Sequence, residues 1–184
     1  MSAIPDYRFD DSYSAQSAPM DPVSIISIAS FSARLAKAAW EAGETLFNFT
    51  KDAKVVNQSL AALARQARAV KDPCELIDAF LRGIEEELSI QPAWVRTRRG
   101  QQLGNVMSAI QRQLAGCEET LEELRSNTRG ICGDGAVRGA GKAWMQFKLN
   151  MSKEMMIETR SQLALHMVAL NTSLQILNLY VMNH

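Results

Sequence analysis

The sequence predicts an all-α protein, an antiparallel bundle of four to five helices behind a flexible N-terminal tail. Three observations predict it. Of 184 residues only five are proline, and glycine concentrates between Gly100 and Gly141, so the rest of the chain is nearly free of helix breakers. Apolar residues recur at alternating steps of four and three, which keeps one stripe of a helix facing a neighbour along its length. No segment alternates apolar and polar residues between turn signals, so no strand is expected.

Residues 1–19 are rich in Ser, Ala, Asp and Tyr without apolar periodicity and read as a flexible extension ahead of a helical domain over 20–184. Asp21 followed by Pro22 is a helix start: the carboxylate can accept free amide hydrogens, and proline is tolerated in the first turn. The first helix is expected over 22–49. A second carries Val56, Leu60, Leu63, Ala67 and Val70. Asp72-Pro73-Cys74-Glu75 reads as a capping-box restart, with Asp72 as cap and Glu75 reaching back. The third helix carries Ile77, Leu81, Ile84 and Leu88. The fourth carries Leu103, Met107, Ile110, Leu114, Cys117, Leu121 and Leu124. After a glycine-rich loop over 130–141 comes a short helix around Trp144, which is expected to plug the bundle end. Ser152 caps a long last helix with the seam Met156, Leu163, Met167, Leu170, Leu174, Leu177 and Val181.

Composition then limits the chemistry. Hydrophobic residues at 47% and charged residues at 22% describe a globular chain able to bury a core. Twenty basic and twenty acidic residues cancel, which removes any general electrostatic reason to bind nucleic acid. Charge is uneven locally: Arg96, Arg98 and Arg99 cluster, and Arg129, Arg138 and Lys142 flank or populate the glycine-rich loop. Glu118, Glu119, Glu122 and Glu123 form an acidic face on helix four. The basic loops are candidate contacts for anionic lipid or a partner, and the glutamates read as a solvated face.

Cys74, Cys117 and Cys132 show no CxxC spacing, which points to neither a disulfide framework nor a zinc site. No basic segment precedes an apolar core at the N-terminus, so a cytoplasmic location with reduced thiols is expected, with recruitment to a membrane as an option. Residues 133–142 invite a phosphate-loop reading. The pattern would need Gly at Ala136, Ser or Thr at Ala143 and a preceding strand, so no nucleotide is expected. His166 and His184 have no Cys or carboxylate at ligand spacing. No catalytic, cofactor-binding or metal-binding residue is expected, and the chain reads as a non-enzyme that acts by contact.

The first helix is the unusual one. Ser27, Ser30, Arg34, Lys37, Glu41, Glu44 and Asn48 fall within an arc of roughly 100°. Val23, Ile25, Ile26, Ile28, Phe31, Leu35, Trp40, Leu46, Phe47 and Phe49 cover most of the remainder. Three readings stand open: a helix buried within the bundle with its polar arc at a solvent gap, a docking helix for a partner or another copy, and a helix that leaves the bundle for a bilayer. About 20 residues span the hydrocarbon. Charges near the middle of the helix would each cost ~2.5–3.5 kcal/mol there, so spanning would need an oligomer that gathers the polar arcs around water.

Three places carry a resemblance to a known family. Met20-Asp21-Pro22-Val23-Ser24-Ile25 resembles the opening Met-Asp-Pro-Leu-Ser-Ile of the HeLo-like N-terminal domain of fungal NLR-like (STAND) proteins. Leu114, Cys117, Leu121 and Leu124 are similar to its Leu-x-x-Cys-x-x-x-Leu-x-x-Leu helix. Lys142-Ala143-Trp144, then 152–179 with His166 and Ser173-Leu174-Gln175-Ile176-Leu177, resembles its closing tryptophan segment and leucine-rich helix. The resemblance runs over residues 20–180. It implies a signalling or effector domain placed ahead of a nucleotide-binding oligomerisation module, and related HeLo domains execute cell death by releasing their first helix into membranes. The expectation is therefore a non-enzymatic signalling domain, membrane-targeting or cell-death inducing through helix one. The alternative is an adaptor or regulatory bundle that binds a protein partner or itself.

Overall fold

A computed structural model describes residues 22–52, 58–90, 98–128, 145, 147 and 151–182. The protein is an all-α helical bundle, and the described residues contain no strand. Its long helices are α1 (Pro22–Asp52), α2 (Gln58–Ala69), α3 (Lys71–Ile90), α4 (Arg98–Thr128) and α5 (Lys153–Met182). The tail over 1–19, the glycine-rich loop, Trp94, Trp144, Cys132 and His184 lie outside the described residues, as do the side chains of Val23, Val56, Leu88 and Val181.

The heptad stripes become the core. All seven predicted seam residues of α4 are buried, as are Leu60, Leu63, Ala67 and Val70 of α2 and Ile77, Leu81 and Ile84 of α3. On α5 the seam is buried from Met156 through Leu177, except that Met167 is half-buried. Cys74 and Cys117 are both wholly enclosed, and burial pushes each thiol up to about 12.

Polar contacts fix how α4 and α5 lie. Ser173 Oγ donates to Gln113 Oε1 at 2.8 Å, and Thr120 Oγ1 lies 3.1 Å from His166 Nε2. Moving forward along α4 from Gln113 to Thr120 moves backward along α5 from Ser173 to His166, so the two helices run antiparallel. Thr120 Oγ1 also donates to the Gly116 carbonyl at 3.0 Å. With its one proton spent there, the hydroxyl accepts from His166 Nε2–H. Burial holds the His166 imidazole below its ordinary value. Gly116 leaves room for that ring, since a Cβ there would stand 3.1 Å from His166 Cε1.

The joint between α2 and α3 differs from the expected capping box. Val70 N–H donates to Ala67 O at 3.2 Å, and Cys74 N–H donates to Val70 O at 3.4 Å, so one turn bends the chain without opening a loop. Glu75 does not reach back toward Asp72. Its Oε2 holds Lys71 Nζ at 2.8 Å instead: α3 begins at Lys71, two residues ahead of where the box would start it, so Lys71 and Glu75, four apart, lie on one face of the helix. Ser152 caps α5 as expected, its Oγ accepting from Met155 N–H at 3.2 Å. Ahead of it, buried Phe147 tilts against Phe49 with ring centroids 6.0 Å apart, and Met151 N–H donates to Phe147 O at 2.8 Å.

Candidate functional site

Two helices are candidates for contact, and their surroundings differ. α1 packs on α2, α3 and α4. Its polar arc faces outward: Ser27, Ser30, Arg34, Lys37, Glu41 and Asn48 are exposed, and Glu44 is half-exposed. Among its apolar residues, Ile25, Ile28, Leu35, Leu46 and Phe49 are buried. Phe31 is half-buried against the core, with the Arg34 guanidinium 5.7 Å from its ring centre. Ile26, Trp40 and Phe47 remain exposed at 40%, 44% and 43%.

Ser32 interrupts the apolar side of α1 and is fully buried. Its hydroxyl donates to the Cys74 carbonyl at 2.6 Å, tying α1 to the start of α3. Gly43 lets α2 approach closely, since a Cβ there would stand 2.9 Å from Ala64 O and collide with Arg68 Cγ. The Arg68 side chain crosses that contact. Its guanidinium lies 4.2 Å from the Phe47 ring centre and 5.5 Å from that of Trp40, and Lys71 Nζ lies 5.7 Å from Trp40. Arg68 Nη2 sits 2.8 Å from Glu44 Oε1 as an ion contact outside hydrogen-bond geometry, and Nε has no acceptor among the described residues. The two exposed aromatics of α1 are thus partly roofed by cations of α2 and α3, a cation–π arrangement.

α5 packs on α4, on α2 and less extensively on α3, and its side opposite the buried seam carries a row of exposed apolar residues. On that face Leu165, Val168 and Leu179 are exposed at 67%, 65% and 63%, and Ile157 and Ile176 at 47% and 44%. At about 100° per residue the five occupy one arc of roughly 100°. Between them stand Ser161, Thr172 and Gln175, exposed and uncharged, with exposed Glu158 at the edge of the arc beside Ile176. After Arg160 no Lys, Arg, Asp or Glu occurs to the end of the chain at His184. Sequence reasoning followed only the buried seam of this helix. The signal it passed over was that missing charge, together with apolar residues at off-seam positions.

Beside the stripe, α2 and α5 leave an open groove of about 690 Å³ between Arg65 and Gln66 on one side and Arg160 and Ser161 on the other. Gln66, which lines the groove, donates from Nε2 to Met167 Sδ at 2.9 Å. The glutamates of α4 are exposed, as the solvated-face reading expects.

Arg98 and Arg99 fall in the first turn of α4 with their side chains outside the described residues, and Arg96, Arg129, Arg138 and Lys142 lie outside them altogether. Among the described residues no group of three potential metal ligands occurs, and no helix is long and apolar enough to cross a membrane. Compared with known protein families, characterised proteins and solved structures, the chain matches none.

Proposed function

We propose that the chain is a non-enzymatic signalling domain that works by contact with another protein chain, with the outer stripe of α5 as the contact surface and α1 as a permanently packed helix. The observation that carries this reading is the set of five large apolar side chains exposed in one arc of a helix whose last two-thirds holds no charge. Scattered exposed leucines are ordinary on a protein surface, whereas a contiguous apolar band is characteristic of interaction sites. The resemblance to fungal HeLo-like domains supports a signalling context. The packing of α1 on three other helices favours the adaptor form of that reading over the membrane form.

A second reading follows from Ile26, Trp40 and Phe47, which α1 exposes before any rearrangement. In it α1 leaves the bundle and enters a bilayer as part of an oligomer. Release would break the Arg68–Glu44 ion contact, the stacking of Arg68 on Phe47 and the Ser32–Cys74 hydrogen bond.

Leakage from anionic vesicles, measured alongside amide hydrogen exchange, separates the two. The contact reading expects intact vesicles and α1 amides protected as strongly as those of α5. Leakage that Ile25→Asp or Phe31→Asp abolishes, with early exchange in α1, would reject it in favour of release.

A further inference from the structure

We propose that the partner on the α5 stripe is a second copy of this chain, paired antiparallel about a two-fold axis passing beside Val168; this rests on the contact reading above and names its partner. The first argument is symmetry. Ile157, Val168 and Leu179 are spaced by eleven residues in each direction. Eleven residues make about three turns with a drift of only ~20°, so the three side chains share one line along the helix. A two-fold axis through the middle one sets Ile157 against the partner's Leu179 and Val168 against its counterpart, so apolar meets apolar at all three points. An isologous interface requires this self-complementarity.

The second argument is charge. Every formally charged residue of α5 lies in its first third, at Lys153, Glu154, Glu158 and Arg160. Antiparallel pairing lays that end against the uncharged end of the partner helix, where Asn171, Gln175 and Asn178 stand exposed. Parallel pairing would bring Glu154, which lies within the arc of the stripe, onto its own copy. Antiparallel pairing also opposes the two helix dipoles.

The third argument is area. With exposures of 44–67% on Ile, Leu and Val side chains, the stripe offers on the order of 500 Å² of apolar surface. Two such stripes remove about 1,000 Å², the lower bound for a specific interface, before the interleaved Ser161, Thr172 and Gln175 are counted.

Sedimentation of the purified full chain from about 10 to 500 µM should show a reversible monomer–dimer equilibrium in the micromolar range. Leu165→Glu and Val168→Glu should each shift it to monomer, with helical content by circular dichroism unchanged, since both side chains are solvent-facing in the monomer. Wild-type chain that stays monomeric throughout, or variants that dimerise like wild type, would overturn the proposal. Cross-linking tests the register in a Cys132→Ser background, where the buried Cys74 and Cys117 do not compete. Val168→Cys should form a disulfide dimer on mild oxidation. Leu179→Cys should couple to Ile157→Cys in a mixture but not to itself, and self-coupling of Leu179→Cys would overturn the antiparallel arrangement. A monomeric chain that also leaves vesicles intact removes the second copy as partner without touching the contact reading, which fails only on leakage.

Discussion

α1 and α5 are nearly equal in length, at 31 and 30 residues, and both are rich in apolar side chains, yet they stand in opposite relation to solvent. α1 is apolar around most of its circumference and has three helices laid over it, so Ile25, Ile28, Leu35 and Leu46 vanish into the core. α5 has a well-defined buried seam and, on its other side, a second apolar band that stays largely exposed. A helix's apolar fraction therefore says how much surface wants covering; the number of neighbours decides how much is covered. The residues that remain uncovered are the ones available for recognition.

Paired truncations give the largest contrast. Leu46 on α1 is fully buried and Leu165 on α5 is 67% exposed. Leu46→Ala should cost about 2–5 kcal/mol in chemical denaturation, the usual penalty for emptying a packed site. Leu165→Ala should stay within about 0.5 kcal/mol when the monomer is measured. Equal losses would erase the distinction between the two helices.

Gly43→Ala probes the closeness of α1 and α2. The added methyl group meets backbone at Ala64 O and Arg68 N, 2.9 and 3.0 Å away, which cannot swing aside like a side-chain tip. A loss of about 1–3 kcal/mol is expected, and a neutral result would mean that the two helices part easily, as the release reading requires. Ser32→Ala removes the buried hydrogen bond to Cys74 O and should cost about 1 kcal/mol, again measured as a shift in the denaturation midpoint.

The smallest effect is the pH dependence of the α4–α5 contact. Burial lowers the folded-state pKa of His166 below its ordinary 6.5. The unfolded chain therefore binds more protons just below pH 6.5, so this contribution to stability is complete above 6.5 and is lost as pH falls toward the folded-state value. Thermal melts from pH 7.5 to 5 should show the trend, and His166→Gln should flatten it. A slope unchanged in His166→Gln would place its origin in another group.

Much of the fold was legible because periodicity and burial share a cause. The seam of α4 from Leu103 to Leu124 is buried at every predicted position, and Ser152 caps α5 where a serine ahead of an apolar run suggests. Details decided by tertiary geometry were not. Glu75 pairs with Lys71 rather than with the backbone because the helix starts two residues ahead of where the box would set it. The buried role of Ser32 was not legible either, because its acceptor, the carbonyl of Cys74, lies 42 residues away on another helix. The outer band of α5 escaped for a related reason: off-seam Leu165 and Ile176 could equally have met a further helix, and the spacing of residues along one helix carries no information about that neighbour. On α1, the inverted polar arc was readable from spacing, but the roofing of Trp40 and Phe47 by Arg68 required knowing which residues of α2 lie opposite.

The enclosed thiols of Cys74 and Cys117 supply a built-in chronometer for this bundle. Burial pushes both thiols up to about 12, so very little reactive thiolate is present at neutral pH, and enclosure shields the sulfurs as well. Alkylation of either sulfur must therefore wait for the surrounding helices to part. The modification rates of a thiol on α3 and a thiol on α4, followed by mass spectrometry, time the opening of the two sides of the core separately, without any label being introduced.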